Sequence, residues 1–280
     1  MFPEWTELAF GEPVRQGDVL TRIQPGDDPW RNMLVVLTAD CDLARAKFGG
    51  AISCLPIFDC EQYLLQFRFG GPREATLKRL TAELVAATSA GRESAPSVSA
   101  SRMRRWVAEA GIEEVLLALQ LAERSAAVFR AIVPAVKELT DLVPKTLADA
   151  AFQVARAKVA LGDKGGLEKH AKSVATALAK DLNDLPGDAQ YINQLSPIHL
   201  GGYVVYLRRI IEVNESAVVT TLSRLPAEAV YQRVSRLRPP YVYALSQKFG
   251  SVFSSIGLPD PHDQARATVA LALASKGMDS

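Results

Sequence analysis

The sequence is poor in cysteine, and this argues against two common ways of stabilising a fold. Cys41, Cys54 and Cys60 all lie in the first quarter of the 280 residues, and no pair has Cys-x-x-Cys spacing. An odd number without that spacing is atypical of a disulfide scaffold or a closed zinc site. The segments GDKGG and FGG are too short for a phosphate loop. We therefore predict a reduced protein without metal or cofactor.

Long apolar runs are absent as well. No stretch of about 20 apolar residues, the length that crosses a bilayer as a helix, occurs in the sequence. The first residues, MFPEWTELAFGEP, contain acidic side chains and prolines where a secretory signal needs a basic start and an apolar core. We expect a cytoplasmic protein without membrane contact.

An excess of one charge is also missing, since the formal net charge is +1. The distribution is nevertheless uneven. Residues 1–71 contain six basic and ten acidic side chains, whereas residues 188–280 contain nine basic and seven acidic ones. Most of the basic residues in that last segment are arginines between positions 208 and 238. Such a local basic strip permits contact with phosphates, and the acidic N-terminal segment offers it an internal partner.

Both ends of the chain have the pattern of β-strands, with β-branched and apolar residues between turn signals. The predicted strands are Gly17–Ile23, Asn32–Thr38, Ala51–Asp59, Gly201–Val213 and Ala229–Leu237. Tyr63–Phe69 either extends the third strand or forms another. A proline at its start and a glycine at its end predict a helix over Pro240–Gly257.

The residues between these ends have helical periodicity, as at Leu77, Leu80 and Leu84. Neither β segment alone has enough strands for a stable sheet. We therefore predict an α+β fold in which one small β-barrel is formed from both chain ends, interrupted by an all-helical insertion and closed by a C-terminal helix. The predicted parts are 1–71 and 188–280 for the barrel, the latter with the C-terminal helices, and 72–187 for the insertion.

Four short motifs resemble those of known families. They are Gly17-Asp18, Thr38-Ala39-Asp40-Cys41-Asp42, Pro239-Pro240-Tyr241 and Gly257-Leu258-Pro259. The first two resemble the start of a MazF/PemK-type SH3-like barrel. All four resemble a group of uncharacterised bacterial proteins that are often encoded near phage-defence genes. The resemblance covers the two β ends and implies an SH3-like barrel there; for the toxins it implies RNA cleavage by an arginine with a threonine, aspartate or histidine partner.

The acidic turn, Asp40-Cys41-Asp42, has three interpretations: catalysis, binding of a ligand or partner, and a structural role. In the catalytic one, Cys41 is a nucleophile, and in the alternative nuclease hypothesis Asp42 or His199 acts as acid or base. The flanking carboxylates, however, disfavour the thiolate that a nucleophile needs. In the structural one, which we favour, Cys41 is a small buried apolar residue, and Asp40 or Asp42 caps the turn or the short helix after it.

The arginine strip also has two interpretations. Arg208, Arg236 and Arg238, with Tyr241 nearby in sequence, have the composition that holds phosphates and stacked bases. Alternatively, these arginines pair with the carboxylates of the acidic turn, and we favour this pairing because the two β segments have opposite charge. The predicted binding residues are Asp40, Asp42, Arg208, Arg236, Arg238 and Tyr241.

For function, the favoured hypothesis is a non-enzymatic binding or regulatory component of a bacterial phage-defence or toxin–antitoxin-like system. It would act through protein–protein contacts with another protein of the same system, with the helical insertion as the partner-specific surface. This hypothesis rests on the near-neutral charge, the lack of a convincing catalytic constellation and the family resemblance. The alternative is a MazF/PemK-like nuclease or nucleic-acid-binding protein that uses barrel arginines on phosphates.

Overall fold

A computed structural model describes residues 3–9, 11–89, 98–219 and 229–254, together with residues 265, 268 and 269. The chain divides into two compact units. The sheet unit combines Met1–Ile57 with Pro186–Ser280, and the helical unit is Phe58–Leu185. The protein therefore belongs to the mixed α and β class, which confirms the coarse prediction of the fold.

The sheet is curled and almost entirely antiparallel, as in half of a barrel. Its strands are β1 Trp5–Thr6, β2 Asp18–Arg22, β3 Met33–Val36, β4 Ala51–Asp59, β5 Ala189–Gln194, β6 Leu200–Tyr206, β7 Ile211–Asn214, β8 Val218–Val219 and β9 Tyr231–Leu237. Their order is β1-β9-β2-β3-β4-β6-β5, with β7 also paired to β4 and β8 to β9. The antiparallel pairs of β2 with β9 and of β4 with β7 join strands that are distant in sequence.

The strands β2 and β3 are buried on both faces. Val19 and Val35 are paired partners in one apolar cluster, and Leu20 and Leu34 are paired partners in another. Because successive side chains of a strand point to opposite faces, the sheet separates two apolar cores. This confirms that the apolar run around Leu34 is a strand covered on both faces.

The turn before β2 requires the glycine at position 17. Gly17 has φ +85°, and a Cβ there would lie 2.4 Å from Cγ2 of Val242. Val242 belongs to the helix α9, Pro239–Ser254, which begins with prolines as predicted. The predicted end of this helix at Gly257 lies outside the described residues. The Gly17-Asp18 motif thus has a structural cause, because the chain turns tightly where α9 packs against it.

The helical unit packs its helices around one apolar core. Its helices within the described residues are α2 Cys60–Phe67, α3 Gly70–Ser89, α4 Ala100–Glu109, α5 Ile112–Leu119, α6 Glu123–Asp141, α7 Leu147–Ala160 and α8 Leu167–Lys180. The predicted helical face of Leu77, Leu80 and Leu84 is buried in this core. Ala150 and Ala157 of α7 are also fully buried, and α8 packs along this alanine-rich helix.

Two strand predictions were wrong. Tyr63–Phe69 lies mostly in α2, because the side chain of Asp59 accepts a hydrogen bond from the backbone N–H of Gln62 and caps a helix there. The predicted long strand Gly201–Val213 is split into β6 and β7. The chain turns at Leu207 and Arg208, and after this turn β7 pairs with β4, whereas β6 pairs with β5. The strand β5 was not predicted.

Candidate functional site

The acidic turn forms the first turn of a short helix, α1, Asp40–Ala44. None of the α1 residues is buried, and Cys41 is exposed, so the prediction that Cys41 is a core residue was wrong. The physical reason is that the buried part of the preceding strand ends at Val36 and the chain then leaves the sheet. Sγ of Cys41 lies 3.8 Å from Oδ1 of Asp42.

The two aspartates of this turn do not cap the helix as expected. The N-cap residue is Ala39, and no side chain accepts a capping hydrogen bond there. Asp40 instead accepts a hydrogen bond from the backbone N–H of Gln16 at 2.8 Å. Thr38, just before the turn, accepts one from the N–H of Ser53 at 2.8 Å. The turn is therefore anchored to its neighbours by Asp40 and Thr38.

Four charged side chains of the sheet unit form a network that we call the buried charge cluster: Glu12, Asp18, Arg233 and Arg236. Asp18 accepts from Nη1 of Arg233 at 3.0 Å and from Nε of Arg236 at 2.6 Å. Arg236 also donates to the carboxylate of Glu12 at 2.8 Å, and Arg233 donates to the backbone carbonyl of Glu12 at 2.6 Å. Two positive and two negative charges thus compensate each other.

This network corrects the predicted pairing of the arginines with Asp40 or Asp42. The acidic N-terminal segment does supply the partners, but they are Glu12 and Asp18. The reason is strand order: β2 is the direct neighbour of β9, and Asp18 lies opposite Arg236 in register. The acidic turn follows β3, which is one strand farther from β9.

A register shift lets two arginines reach one carboxylate. Arg233 and Arg236 are three residues apart, so a regular strand would place them on opposite faces. The pairing of β2 with β9 is irregular between Val19 and Leu20, whose partners are Ser235 and Arg233. An irregularity of this kind inserts one residue and re-aims the side chains around it. Both guanidinium groups therefore converge on Asp18.

The electrostatics of the cluster follow from its burial. Burial raises the pKa of Asp18, while hydrogen bonds from Arg236 and from the Arg15 N–H act in the opposite direction. The hydrogen bond from Arg236 lowers the pKa of Glu12. Nε of Arg233 and Nη2 of Arg236 are buried without a hydrogen-bond partner in the described part of the chain. Such groups are costly to bury, so the pairing with Asp18 is what makes these arginines tolerable inside the protein.

The other arginines of the strip also have internal partners. Arg208 donates through Nε to the carboxylate of Asp188. Arg209 lies over the ring of Trp30, with its guanidinium carbon 4.3 Å from the ring centroid, which is a cation–π geometry. Arg238 donates to the backbone carbonyl of Trp5 at 3.1 Å. All the described arginines of the strip are therefore engaged within the sheet unit.

Two further predicted site residues have local roles. The backbone N–H of Tyr241 donates to the carbonyl of Arg238 in the first turn of α9, and its side chain packs partly against the sheet core. Nδ1 of His199 lies 2.6 Å from Oγ of Ser196, and burial lowers the pKa of His199. Hydrogen bonds join His199 to neither Asp42 nor Cys41, although all three residues are described. The structure thus does not assemble the proposed catalytic set.

The connection between β5 and β6 presents apolar side chains to solvent on a fixed backbone. We call Ser196–Leu200 the hairpin tip. Ile198 is 82% exposed and Leu200 is 59% exposed, with Pro197 also exposed beside them. The backbone is held by Ser196, whose Oγ accepts from the N–H of His199, and by Leu195, whose N–H donates to the carbonyl of His199. Exposed apolar groups on a rigid turn are a common feature of protein-binding surfaces.

A mixed-charge cleft of about 330 Å³ lies beside α1, lined by Arg15, Asp40, Leu43 and Glu215 among others. Its two carboxylates and one guanidinium give it no dominant charge. Among the residues that the structure describes, no three His, Cys, Asp or Glu side chains converge as metal ligands do.

Arg233 and Asp18 were not among the site residues predicted from the sequence. A signal was present: in Tyr231–Leu237, alternate residues share a face, and Arg233 is the charged member of the buried set that includes Tyr231 and Leu237. A charge on a buried face needs a partner, and this rule would have identified the cluster.

Comparison with known proteins gives no relative for this chain: no family model, curated protein or solved structure matches it. Within the described residues, no helix combines the length and the apolar character needed to cross a membrane.

Proposed function

We propose that this chain is a non-enzymatic binding or regulatory component of a bacterial phage-defence or toxin–antitoxin-like system. In this proposal the curled sheet is an SH3-like barrel that acts as a scaffold in the cytoplasm. The partner is another protein of the same system. The observation that carries the proposal is the hairpin tip, which exposes Ile198 and Leu200 on a backbone fixed by hydrogen bonds.

The geometry of the hairpin tip favours a protein partner. Protein interfaces have an apolar centre surrounded by polar groups, and pre-organised loops lose little entropy on binding. Ile198 and Leu200 supply the apolar centre, and the exposed Pro197 is next to Ile198 in the chain. We therefore propose a partner surface on the sheet unit, whereas the prediction from sequence was a partner surface on the helical insertion.

The arrangement of the arginines weighs against the alternative of a barrel-type nuclease. Phosphate contact requires guanidinium groups that are free to donate. Arg236 is already paired with two carboxylates, and Arg208 is paired with Asp188. Moving Arg236 onto a phosphate would remove one of the two counter-ions of the buried Asp18.

Site-specific photo-crosslinking tests the proposal. A photoreactive amino acid is placed at position 198 of the full chain in its native host, and crosslinked products are identified by mass spectrometry. We expect one discrete product with a protein encoded in the same system. Leu200→Asp should remove that product, because a carboxylate would be desolvated at the centre of the interface.

The control position is Val143 in the helical unit, which is 84% exposed and therefore matches Ile198 in accessibility. Equal products at both positions, or none at 198, would contradict the proposal. A second outcome that would overturn it is cleavage of labelled RNA or DNA by the purified protein that is abolished by Arg236→Ala in a variant that still folds. That result would support the nuclease alternative instead.

A further inference from the structure

The helix α8 presents a row of positive side chains to solvent. Lys169, Lys172 and Lys180 are exposed, with the exposed hydroxyl residues Ser173 and Thr176 between them. With about 3.6 residues per turn, these five positions fall on one side of the helix. We call this set the α8 basic face.

The orientation of the basic face is fixed by packing. Ala171, Val174 and Leu178 lie on the opposite side of α8 and are buried in the core of the helical unit. Because the helix cannot rotate without exposing these residues, the lysines are held toward solvent. The single carboxylate within α8, Glu168, is next to Lys169 in sequence and therefore about 100° away around the helix.

The lysines of this face are not neutralised internally. The side chains of Lys169, Lys172 and Lys180 form no hydrogen bond or ion pair within the part of the chain that the structure describes. This contrasts with two arginines of the same unit that are paired with carboxylates. Arg79 forms two hydrogen bonds with Asp163, at 2.8 and 3.1 Å, and Arg156 is bound to Glu138. The basic face thus keeps its charge available for an external anion.

The basic face borders two depressions that share Ser173 and Ala177. A depression of about 420 Å³ is lined by the three lysines together with Ser173, Thr176 and Ala177. Ser173 and Ala177 also line a second cleft of about 280 Å³, which adds Arg79 and Lys158. Asp163 pairs with Arg79 beside this second cleft, and the side chain of Lys158 forms no hydrogen bond within the described residues, although its charge also acts on Asp163. Positive side chains therefore line both depressions.

We propose that the α8 basic face binds the phosphate backbone of nucleic acid without reading the bases. Lysine, serine and threonine side chains are common phosphate ligands, and the small residue Ala177 lets a backbone approach closely. Lys169 and Lys180 are separated by about 16 Å along the helix axis. That span corresponds to the axial rise of roughly five base pairs, so several successive phosphates can be contacted at once.

The composition of the face favours nucleic acid over an acidic protein. A stable protein interface uses large apolar or aromatic anchors, and the α8 basic face contains none, since its members are lysine, serine and threonine. The lack of an aromatic side chain also gives no platform for stacked bases. The contact is therefore with phosphates and should not depend on base sequence. It is independent of the hairpin tip, which belongs to the sheet unit.

Fluorescence anisotropy with the full chain tests this inference. The probes are two labelled 20-base-pair DNA duplexes of unrelated sequence and an RNA duplex, each titrated at several salt concentrations. We expect both DNA sequences to bind equally within about twofold. Lys169→Gln/Lys172→Gln/Lys180→Gln should weaken binding at least tenfold at low salt and reduce the salt slope by about 2 to 3, because three phosphate contacts are lost.

The matched control is Lys47→Gln/Arg124→Gln/Lys145→Gln, which removes the same number of charges from exposed positions elsewhere. It should bind within about twofold of the unchanged protein. Equal losses in both triple variants would overturn the inference, because only diffuse charge would then be involved. Absence of binding at low salt, or equally tight binding of polyglutamate of matched charge, would also overturn it. Circular dichroism at 222 nm verifies that the helices of each variant are intact.

Discussion

In the sheet unit, Asp18 and Arg233 form an ion pair whose side chains are 0% and 1% exposed, whereas in the helical unit Arg104 and Glu74 form one whose side chains are 32% and 64% exposed. Both pairs have short donor–acceptor distances, 3.0 Å and 2.8 Å. They therefore differ in access to water rather than in geometry.

This difference in exposure decides how strongly each ion pair affects the stability of the fold. In water, an exposed pair gains little because the solvent screens it and two long side chains must be ordered. A buried pair is different because neither charge can be left alone, so loss of one partner is costly even where the pair itself adds little net stability. The sheet unit thus has an ion pair in its interior, whereas the compared ion pair of the helical unit lies on the surface.

The largest effect is expected for Asp18→Asn, which keeps the size of the side chain and removes its charge. Arg233 would then stay buried in β9 without a counter-ion, and Arg236 would keep only the carboxylate of Glu12. We expect a loss of about 3–5 kcal/mol in the free energy of unfolding at pH 7. Urea-induced unfolding gives the loss, and hydrogen exchange of the β2 and β9 amides locates it in the sheet unit.

The outcome against this prediction is also informative. A loss below about 1 kcal/mol would contradict the prediction, because it would show that Arg233 tolerates burial without the negative charge of Asp18.

The core of the sheet unit could be predicted from sequence because its signals are local. The apolar run around Leu34 and the motif at Gly17 depend on residues within one strand or turn. Cys41 could not be placed in the same way. Its burial depended on whether the chain stays in the sheet beyond Val36, and apolar periodicity says nothing about where a chain leaves a sheet.

For the arginines, the sequence could predict the charge of the partners but not their identity. The opposite charges of the two β segments indicated that the arginines pair with carboxylates of the N-terminal segment, and they do. Which carboxylate takes part depends on the neighbour of β9 and on the register shift near Val19. Both are long-range properties, since the two strands are about two hundred residues apart in the chain. Spacing within one strand cannot reveal them.

The second prediction concerns how the stability of the sheet unit depends on pH through His199. Because burial lowers the pKa of His199 below its ordinary value of 6.5, the unfolded chain binds a proton there more readily than the folded one. The contribution of neutral His199 is therefore fully present above pH 6.5 and is lost as the pH falls from there through the lowered pKa of the folded protein. The stability of the sheet unit should decrease between pH 7 and pH 5.

His199→Asn is the matching variant, since an amide can still hydrogen bond with Ser196 and does not titrate. Urea unfolding at pH 7 and pH 5 should show a smaller pH dependence in this variant, and the effect should be smaller than that of Asp18→Asn. An unchanged dependence would assign the decrease to other groups. Glu12 is not a candidate in this window: Arg236 lowers its pKa from 4.5, so its contribution is lost only at more acidic pH.

The smallest effect is expected for Glu74→Gln, the surface counterpart of Asp18→Asn. The side chain of Arg104 keeps its hydrogen bond from Nε to the hydroxyl of Thr81 at 3.0 Å, and water replaces the lost carboxylate. The free energy of unfolding should change by no more than about 0.5 kcal/mol, and raising the salt concentration should reduce even that difference. The same urea titration checks it. A loss of unfolding free energy close to that of Asp18→Asn would contradict this contrast. It would show that an exposed pair of the helical unit affects stability as much as a buried pair of the sheet unit.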